Sequence, residues 1–380
     1  MLVTQSDAAL GADPMSWYLP VPQYADEATG TTWRVSRAWF DKKPGNYVLE
    51  VVSQGRTRAL RGAYLRQGRF ELVPLDDPEL PALRAEAQEG ELITYRPHRR
   101  AVVRAEGHYI KIFRPGQAIA SAERCARVDI LLDAGGTFTT PRILRRSEDV
   151  IAFSTVPGPT LHELSEDDYT TSDESFARAW EKWARSWVAQ LSVPPGNAAR
   201  SVLNSLPLRS AEVEAEYLRR CVNRWLRHFE NVPEMSPQVS ALRAAAEDVT
   251  KNLLRTAPDP LVWSHGDLHS KQIIVVDDRS PLGLLDFDEG AQAEAARDLA
   301  KMDVRLELHR RRNDLSSARY LTAHNQVLAV AQELHVNPDR FHAYSDTIWL
   351  REALVPLPGR LAMATAVLDE KAKHYQTTEA

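Results

Sequence analysis

The sequence contains little cysteine, and Cys125 and Cys221 are its only two among 380 residues. Two cysteines so far apart exclude a disulfide framework and a zinc ribbon, and they fit a reducing compartment. No apolar run approaches the ~18 residues of a membrane span. The first residues show no charged leader followed by an apolar core, so we expect no secretory signal. These absences predict a cytoplasmic protein without a membrane partner.

An excess of positive charge is also absent. The chain has 47 Lys and Arg against 52 Asp and Glu, a formal net charge of −5. This balance argues against a general nucleic-acid-binding protein, whose binding domain is normally basic. The hydrophobic fraction of 43% and charged fraction of 26% are ordinary for globular proteins. A chain of 380 residues is longer than one core usually holds, so we expect two packed lobes.

The first half of the sequence is predicted to be rich in β-strands. Runs of β-branched and aromatic residues recur about every ten residues in the first quarter, which is typical of an antiparallel meander. A second strand group follows, and it is interrupted by one predicted helix over 118–132. The predicted strands are 31–40, 47–52, 56–64, 69–73, 91–95, 101–106, 109–113, 142–144 and 150–155.

The second half is predicted to be helical. The segment 156–161 contains two prolines and Gly158, and we expect it to form a hinge beginning at Val156. Beyond it, Trp180, Trp183 and Trp187 recur at helical spacing, which favours a buried packing stripe over a ligand box. The predicted helices are 176–191, 211–229, 238–256, 293–312, 316–334, 338–354 and 360–375, and they are interrupted by a β-rich island over 261–287.

The β-rich island carries the residues suited to catalysis. Asp267 and Asp286 each follow an apolar run, and a hairpin between them is expected to bring them to one side of a small sheet. Residues 261–300 hold eight acidic and three basic residues, whereas 91–115 hold six basic and two acidic ones. Carboxylates of this kind suit Mg²⁺, and facing basic groups suit nucleotide phosphates. His265 and His269 lie four apart on a predicted loop without a third ligand nearby, so we do not expect zinc.

The motifs HGDLH at 265–269, DFD at 286–288 and RDLA at 297–300 occur here in order. In this respect the sequence resembles the aminoglycoside phosphotransferase and choline kinase family. The resemblance covers 91–165 and 261–300 and does not extend to residues 1–90. It implies an α+β, two-lobed protein-kinase-like fold, with ATP and Mg²⁺ as cofactors. We therefore expect a β-rich N-terminal cap at 1–90, a nucleotide-binding N-lobe at 91–157, and a mainly helical C-lobe at 158–380.

The resemblance also implies roles in the catalytic loop and the metal site. Asp267 would orient and deprotonate the acceptor hydroxyl, and His265 would hold the catalytic loop in shape, with Asp298 bracing it. Asp286 would bind Mg²⁺. Gln272 stands where the family usually has Asn as a further metal ligand, and its extra methylene places full activity in question. Asp288 remains open between a second metal ligand, an acceptor contact and a solvated loop acid.

A further set of residues is expected to bind the nucleotide. By the resemblance, Lys111 would hold the α- and β-phosphates, and Glu123 would be its ion-pair partner. Val156 and Gly158 would flank the adenine. The hairpin at 95–100 is predicted to lay Arg99 and Arg100 over the phosphates, although it contains no glycine.

The expected activity is transfer of the ATP γ-phosphate to a hydroxyl group of a small molecule. Aminoglycosides are polycations, and residues 301–380 show no acidic bias, with eleven bases against ten acids. A hydroxylated metabolite, sugar or natural-product intermediate is therefore favoured as acceptor. Two alternatives stay open: a kinase acting on Ser or Thr of a peptide substrate, and a pseudokinase that binds nucleotide without turnover. The sequence leaves the oligomeric state and the choice between ATP and GTP undetermined.

Overall fold

A computed structural model describes residues 21–27, 30–54, 58–133, 136–166 and 170–378, with side chains described as far as 371. The segment for which no secretory signal was predicted lies outside these residues. Within them, no helix has both the length and the apolar character needed to cross a membrane.

The first part of the chain forms a five-stranded antiparallel sheet whose strands are neighbours in chain order. Its core contains Trp33, Leu49, Val51 and Ala63. The predicted meander is confirmed, although the third predicted strand begins later than expected, at Leu60, and residues 55–57 are outside the described part. The strands are β1 (Tyr24–Asp26), β2 (Thr32–Phe40), β3 (Tyr47–Ser53), β4 (Leu60–Arg66) and β5 (Arg69–Leu72). We call this sheet the cap sheet.

A second five-stranded sheet follows a short helix, α1 (Leu83–Glu86). Its spatial order is β10-β11-β8-β7-β6, and its hairpins agree with the predicted strands to within one or two residues. One helix, α2, packs on it in the position predicted for 118–132. The elements are β6 (Gly90–Arg96), β7 (Arg100–Ala105), β8 (His108–Phe113), α2 (Gln117–Asp133), β10 (Ile143–Arg146) and β11 (Val150–Ser154), while β9 (Phe138–Thr139) belongs to another sheet.

The cap sheet lies directly against the second sheet and also reaches the helical part of the chain. A side chain at Gly62 would meet the Pro97 ring at 2.4 Å, so only glycine permits this approach of β4 to β6. In the turn between β2 and β3, the Gly45 N–H donates to His228 Nδ1 at 3.2 Å, and His228 Nε2 donates to the Asp41 carbonyl at 3.2 Å. The cap sheet therefore bridges the second sheet and the helices.

Helices make up most of the remaining chain. Trp180, Trp183 and Trp187 are fully buried, which confirms the packing stripe predicted from their spacing. They share one core with residues from most of the helices that follow. The helices are α3 (Leu161–Glu166), α4 (Asp173–Ser192), α5 (Asn197–Ser205), α6 (Ala211–Phe229), α7 (Ser236–Arg255), α8 (Ala295–Arg311), α9 (Ser317–Glu333), α10 (Pro338–Ala353) and α11 (Arg360–Thr378).

The β-rich island is split between two small sheets, so the expectation of one small sheet is wrong, whereas the predicted hairpin before Asp286 is present. The strand before Asp267, β13 (Leu261–Ser264), pairs with β16 (Ala291–Glu294), which itself pairs with β12 (Leu208–Arg209). The hairpin is formed by β14 (Ile273–Ile274) and β15 (Leu282–Leu284), with β9 beside β15. This hairpin therefore joins the residues after Gln272 to those before Asp286, because β13 has its partners elsewhere.

Candidate active site

Asp267 lies in the loop that follows β13. Its Oδ1 is 3.0 Å from Lys301 Nζ on α8, and its Oδ2 is 3.8 Å from His269 Nε2. Burial raises the pKa of Asp267, but the Lys301 ammonium, His269 and Arg305 outweigh burial and hold the pKa far below its usual range. Asp267 is therefore an ionised carboxylate with 38% of its side chain exposed, suited to accept a hydrogen bond.

The loop around Asp267 is fixed by buried polar contacts. The carboxylate of Asp298, at the start of α8, accepts the backbone N–H of His265 at 2.6 Å and that of Gly266 at 3.0 Å. His265 is fully buried, and its Nε2 donates to the carbonyl of Leu285 at 2.7 Å. Its Nδ1 accepts the Asp267 N–H at 3.3 Å. One imidazole thus joins the loop of Asp267 to the residue immediately before Asp286.

A glycine is required at the centre of this loop. Gly266 has φ +85°, in the left-handed region that favours glycine. A Cβ there would also lie 2.0 Å from the Glu289 carbonyl. The middle residue of the HGD motif is therefore set by backbone geometry, which brings the segment after Asp288 against the loop of Asp267.

Lys111 and two aspartates form the second charged group of the site. Lys111 Nζ lies 2.7 Å from Asp286 Oδ1 and 3.5 Å from Asp288 Oδ2. Burial raises the pKa of Asp286, but Lys111 outweighs it and lowers the pKa to about 2. Burial lowers the pKa of Lys111, and the two carboxylates more than compensate, so its pKa lies above the ordinary value. Lys111 and Asp286 are therefore both charged near neutral pH.

The expected ion pair between Lys111 and Glu123 is wrong. Glu123 is exposed on α2, and among the described residues no salt bridge joins it to Lys111. Two residues of α2 contact Asp288: the Ser121 hydroxyl donates to Asp288 Oδ1 at 2.7 Å, and Arg124 Nη2 lies 3.9 Å from the same oxygen. The helical rotation between positions 121 and 123 points Glu123 outward. Asp288 is the second counter-ion of Lys111, beside Asp286.

Gln272 lies next to Asp286, in a 3₁₀ turn at the start of the β14–β15 hairpin. Its Nε2 is 3.5 Å from Asp286 Oδ2 and 3.4 Å from His269 Nε2. Among the described residues there is no group of three or more His, Cys, Asp or Glu able to enclose a metal ion. Mg²⁺ does not need such a cage, because it commonly takes one or two carboxylates and completes its shell with phosphates and water. The hard oxygens of Asp286 and Asp288 fit that requirement, whereas Gln272 turns its amide nitrogen toward Asp286.

The residues predicted to bind nucleotide lie in several places. Arg100 reaches the site, with Nη1 3.7 Å from Asp288 Oδ2, while half of its side chain stays exposed. Arg99 is exposed at the tip of the β6–β7 hairpin and lines a separate cavity with the cap sheet. Val156 and Gly158 follow β11. A Cβ on Gly158 would lie 2.3 Å from the Val275 carbonyl, so this segment packs against the end of β14.

The tip of the β6–β7 hairpin is held from outside the second sheet. Asp77, buried in the segment before α1, accepts the backbone N–H of His98 at 2.7 Å and the Tyr95 hydroxyl at 2.9 Å. His98 Nδ1 lies 2.6 Å from the same carboxylate, and its backbone φ of 58° makes the tight turn. A buried aspartate therefore fixes this hairpin tip, which contains no glycine.

Sequence reasoning missed Lys301, Arg305 and Ser121 as neighbours of the site. Lys301 and Arg305 follow the RDLA motif on α8 by one and five residues, and they occupy one helical face with four-residue spacing. That spacing was the available signal. For Ser121, no pattern distinguished it from the other small residues of α2.

The sequence matches one family of known proteins. The family model described as the phosphotransferase enzyme family matches residues 95–334. A search of curated protein sequences finds no match.

Three solved structures resemble the fold. The GDP and kanamycin complex of APH(2″) has a TM-score of 0.51 at 15% identity, covering 76% of this chain and 96% of the other. Macrolide 2′-phosphotransferase MphH from Brachybacterium faecium gives 0.42 and 20%, covering 73% and 86%. Glucosamine kinase with glucosamine, ADP and inorganic phosphate gives 0.46 and 17%, covering 97% and 99%. At these identities the similarity concerns the fold alone.

Proposed function

Because the chain belongs to the phosphotransferase enzyme family, we propose that it transfers the γ-phosphoryl group of ATP to a hydroxyl group of a small molecule. The observation that carries this proposal is the connection between its two charged groups. His265 bonds both to the N–H of Asp267 and to the carbonyl before Asp286. This connection fixes the position of Asp267, which we assign to the acceptor hydroxyl. It also fixes Asp286, which is paired with Lys111 and which we assign to the nucleotide phosphates.

The assignment of nucleotide binding rests on Lys111 and its surroundings. We assign residues 91–157 to the nucleotide-binding lobe, 158–380 to the acceptor-binding lobe and 1–90 to the cap. Lys111, with Arg100 beside it, would contact the nucleotide phosphates. Asp286, with Asp288 and Gln272, would hold Mg²⁺, which neutralises phosphate charge when bound. The ammonium of Lys111 lies within 2.7 Å of Asp286 and 3.5 Å of Asp288, so it contacts both carboxylates.

Asp267 is assigned to the acceptor. In the transfer, the bond from the γ-phosphorus to the oxygen of ADP breaks and a bond to the acceptor oxygen forms. The hydroxyl proton passes to the Asp267 carboxylate and then to solvent. Because its pKa is strongly lowered, Asp267 acts first by orienting the hydroxyl and accepts the proton late in the reaction. The low basicity suits a loose transition state in which positioning dominates.

A pseudokinase is the second candidate, and two observations favour it. Glu123 does not pair with Lys111, and Gln272 presents its amide nitrogen, not its oxygen, toward Asp286. A kinase acting on a peptide side chain is the third. The two enzymatic proposals require the same machinery and differ in the acceptor.

The test is ATP consumption with Mg²⁺ in the presence of pooled acceptors, namely amino sugars, sugars, sugar acids, sugar phosphates, amino alcohols and Ser/Thr peptides. We expect acceptor-dependent formation of ADP in one pool and its loss in Asp267→Asn, which keeps the size of the side chain. Asp129→Asn on α2 is the matched control and should behave as wild type. Binding of ATP without acceptor-dependent turnover in any pool would refute the enzymatic proposal and favour the pseudokinase.

A further inference from the structure

A cavity of about 440 Å³ opens beside the catalytic loop. It begins at His269, whose Nε2 lies 3.8 Å from Asp267 Oδ2, and is bounded by β2 of the cap sheet, α8 and the start of α11. Arg305 lines it from α8, one helical turn beyond Lys301, which contacts Asp267. Asp267 itself does not line the cavity, and His269 connects the cavity to the carboxylate that we assign to the acceptor.

The lining of this cavity is strongly basic. It contains one acidic residue, Glu352, which is shared by Arg305 at 3.2 Å and Arg360 at 2.8 Å. In addition, the Nε of Arg305 is buried without a hydrogen-bond partner among the described residues. The five basic residues of the lining are Arg37, Lys271, Arg305, Arg312 and Arg360.

The other basic groups are only weakly neutralised. Arg37 Nε is 3.6 Å from Glu50, and Arg312 Nε is 3.3 Å from Asp314, with about half of each guanidinium side chain exposed. The pKa of His309, also in the lining, falls to about 3, first through burial and then through His162 and the nearby basic residues. Lys271, Arg305 and Arg312 thus add to the effect of burial on His309.

A second cavity, also with a basic lining, lies on the opposite side of the end of β2. Trp39 lines the cavity beside the catalytic loop, and the next residue, Phe40, lines a second cavity of about 870 Å³. The lining of the second cavity includes acidic Asp41 and Glu79 together with eight lysines and arginines: Lys42, Lys43, Arg66, Arg96, Arg99, Arg114, Arg224 and Arg227. Burial, followed by Arg99 and Arg100, lowers the pKa of Arg96 to about 10.

We propose that the acceptor is a hydroxylated anion, bearing a carboxylate or phosphate that is bound by the arginines of the cavity beside Asp267. This inference rests on the proposed phosphotransferase function and names its substrate class. Arg305 and Arg312 hold the anionic group, Trp39 and Leu308 contact the carbon skeleton, and the hydroxyl group reaches Asp267. A polycationic aminoglycoside would meet repulsion from the same groups, and a neutral sugar would leave their charge uncompensated.

The test compares matched ligands that differ in charge. Gluconate and glucose 6-phosphate are the anionic probes, sorbitol and glucose the neutral ones, and glucosamine the cationic one. Binding is measured by calorimetric titration without nucleotide and again with Mg²⁺ and a non-hydrolysable ATP analogue. The variants are Arg312→Glu and Arg37→Glu in the cavity, Arg227→Glu in the second cavity, and Lys251→Glu on the exposed surface of α7 as control.

We expect at least one anionic probe to bind more tightly than its neutral counterpart, and Arg312→Glu and Arg37→Glu each to weaken it about fivefold or more. Lys251→Glu and Arg227→Glu should leave this affinity unchanged. Preference for glucosamine, no binding of either anion, or a loss seen only in Arg227→Glu would overturn the proposal. Since the first titration contains no nucleotide, absence of ATP turnover would refute the phosphotransferase proposal separately.

Discussion

The substitution Asp298→Asn tests how the catalytic loop is held. Asp298 is 2% exposed, and its two oxygens accept two successive backbone N–H groups, at 2.6 Å and 3.0 Å. An asparagine keeps one acceptor and turns an NH₂ group toward the other donor. The change removes one charge-assisted hydrogen bond and leaves one buried N–H group unpaired, a loss of about 3 kcal/mol.

Hydrogen exchange measured by mass spectrometry checks this estimate locally. If the lost free energy destabilises this loop locally, amide exchange over 261–272 should accelerate about 100-fold and kcat should fall by a similar factor. Asp303→Asn is the matched control, because Asp303 lies on the same helix but faces His324 on α9. Unchanged exchange over 261–272 together with unchanged turnover in Asp298→Asn would refute the bracing role.

Three further predictions concern stability, pH and the metal. Glu294→Gln breaks a buried pair with Arg340, and denaturant titration should show a loss of about 3–5 kcal/mol in the free energy of unfolding. The hydrogen bond that His324 donates to the Asp303 carboxylate raises the pKa of His324, so this pair stabilises the fold below pH ~6.5 and less as pH rises. His324→Gln should therefore cost more stability at pH 6 than at pH 8, and equal costs would contradict the pairing. Gln272→Asn should preserve or raise Mg²⁺-dependent turnover; a collapse would mean that Gln272 has a role that asparagine cannot fill.

The second sheet and the two central aspartates could be predicted from the sequence. The strands at 90–96, 100–105 and 108–113 form one hairpin ladder, and the middle strand alternates buried with more exposed residues, so local pattern indicates it. Asp267 and Asp286 lie in the short motifs HGDLH and DFD, and the loop geometry fixes the order of residues within each motif. Gly266 illustrates why such a motif can be recognised in a sequence. Its backbone conformation can be adopted without strain only by glycine.

The ion-pair partners of Lys111 and the basic lining of the cavity beside Asp267 could not be predicted from the sequence. Glu123 and Ser121 are two positions apart on α2, and only the packing of that helix decides which one faces Asp288. Counting charges over 301–380 showed no bias, yet Arg305, Arg312 and Arg360 converge on one cavity. Linear composition averages over helix faces that the fold separates, so the basic character of this cavity emerges only in three dimensions.

The pairing of β13 illustrates the same limit for strands. Its partner β16 lies more than twenty residues later, beyond the β14–β15 hairpin, and is only four residues long. Nothing in a four-residue segment containing two alanines signals a strand, and tertiary pairing determines it.

The most direct measurement of the central claim compares nucleotide affinity and phosphoryl transfer in Asp267→Asn and Asp286→Asn side by side. If the two carboxylates divide acceptor and metal between them, Asp267→Asn binds ATP with Mg²⁺ as wild type does but transfers no phosphate. Asp286→Asn then loses the Mg²⁺ dependence of ATP binding as well as transfer. Retained transfer in Asp267→Asn, or unchanged Mg²⁺ dependence in Asp286→Asn, would contradict the assignment.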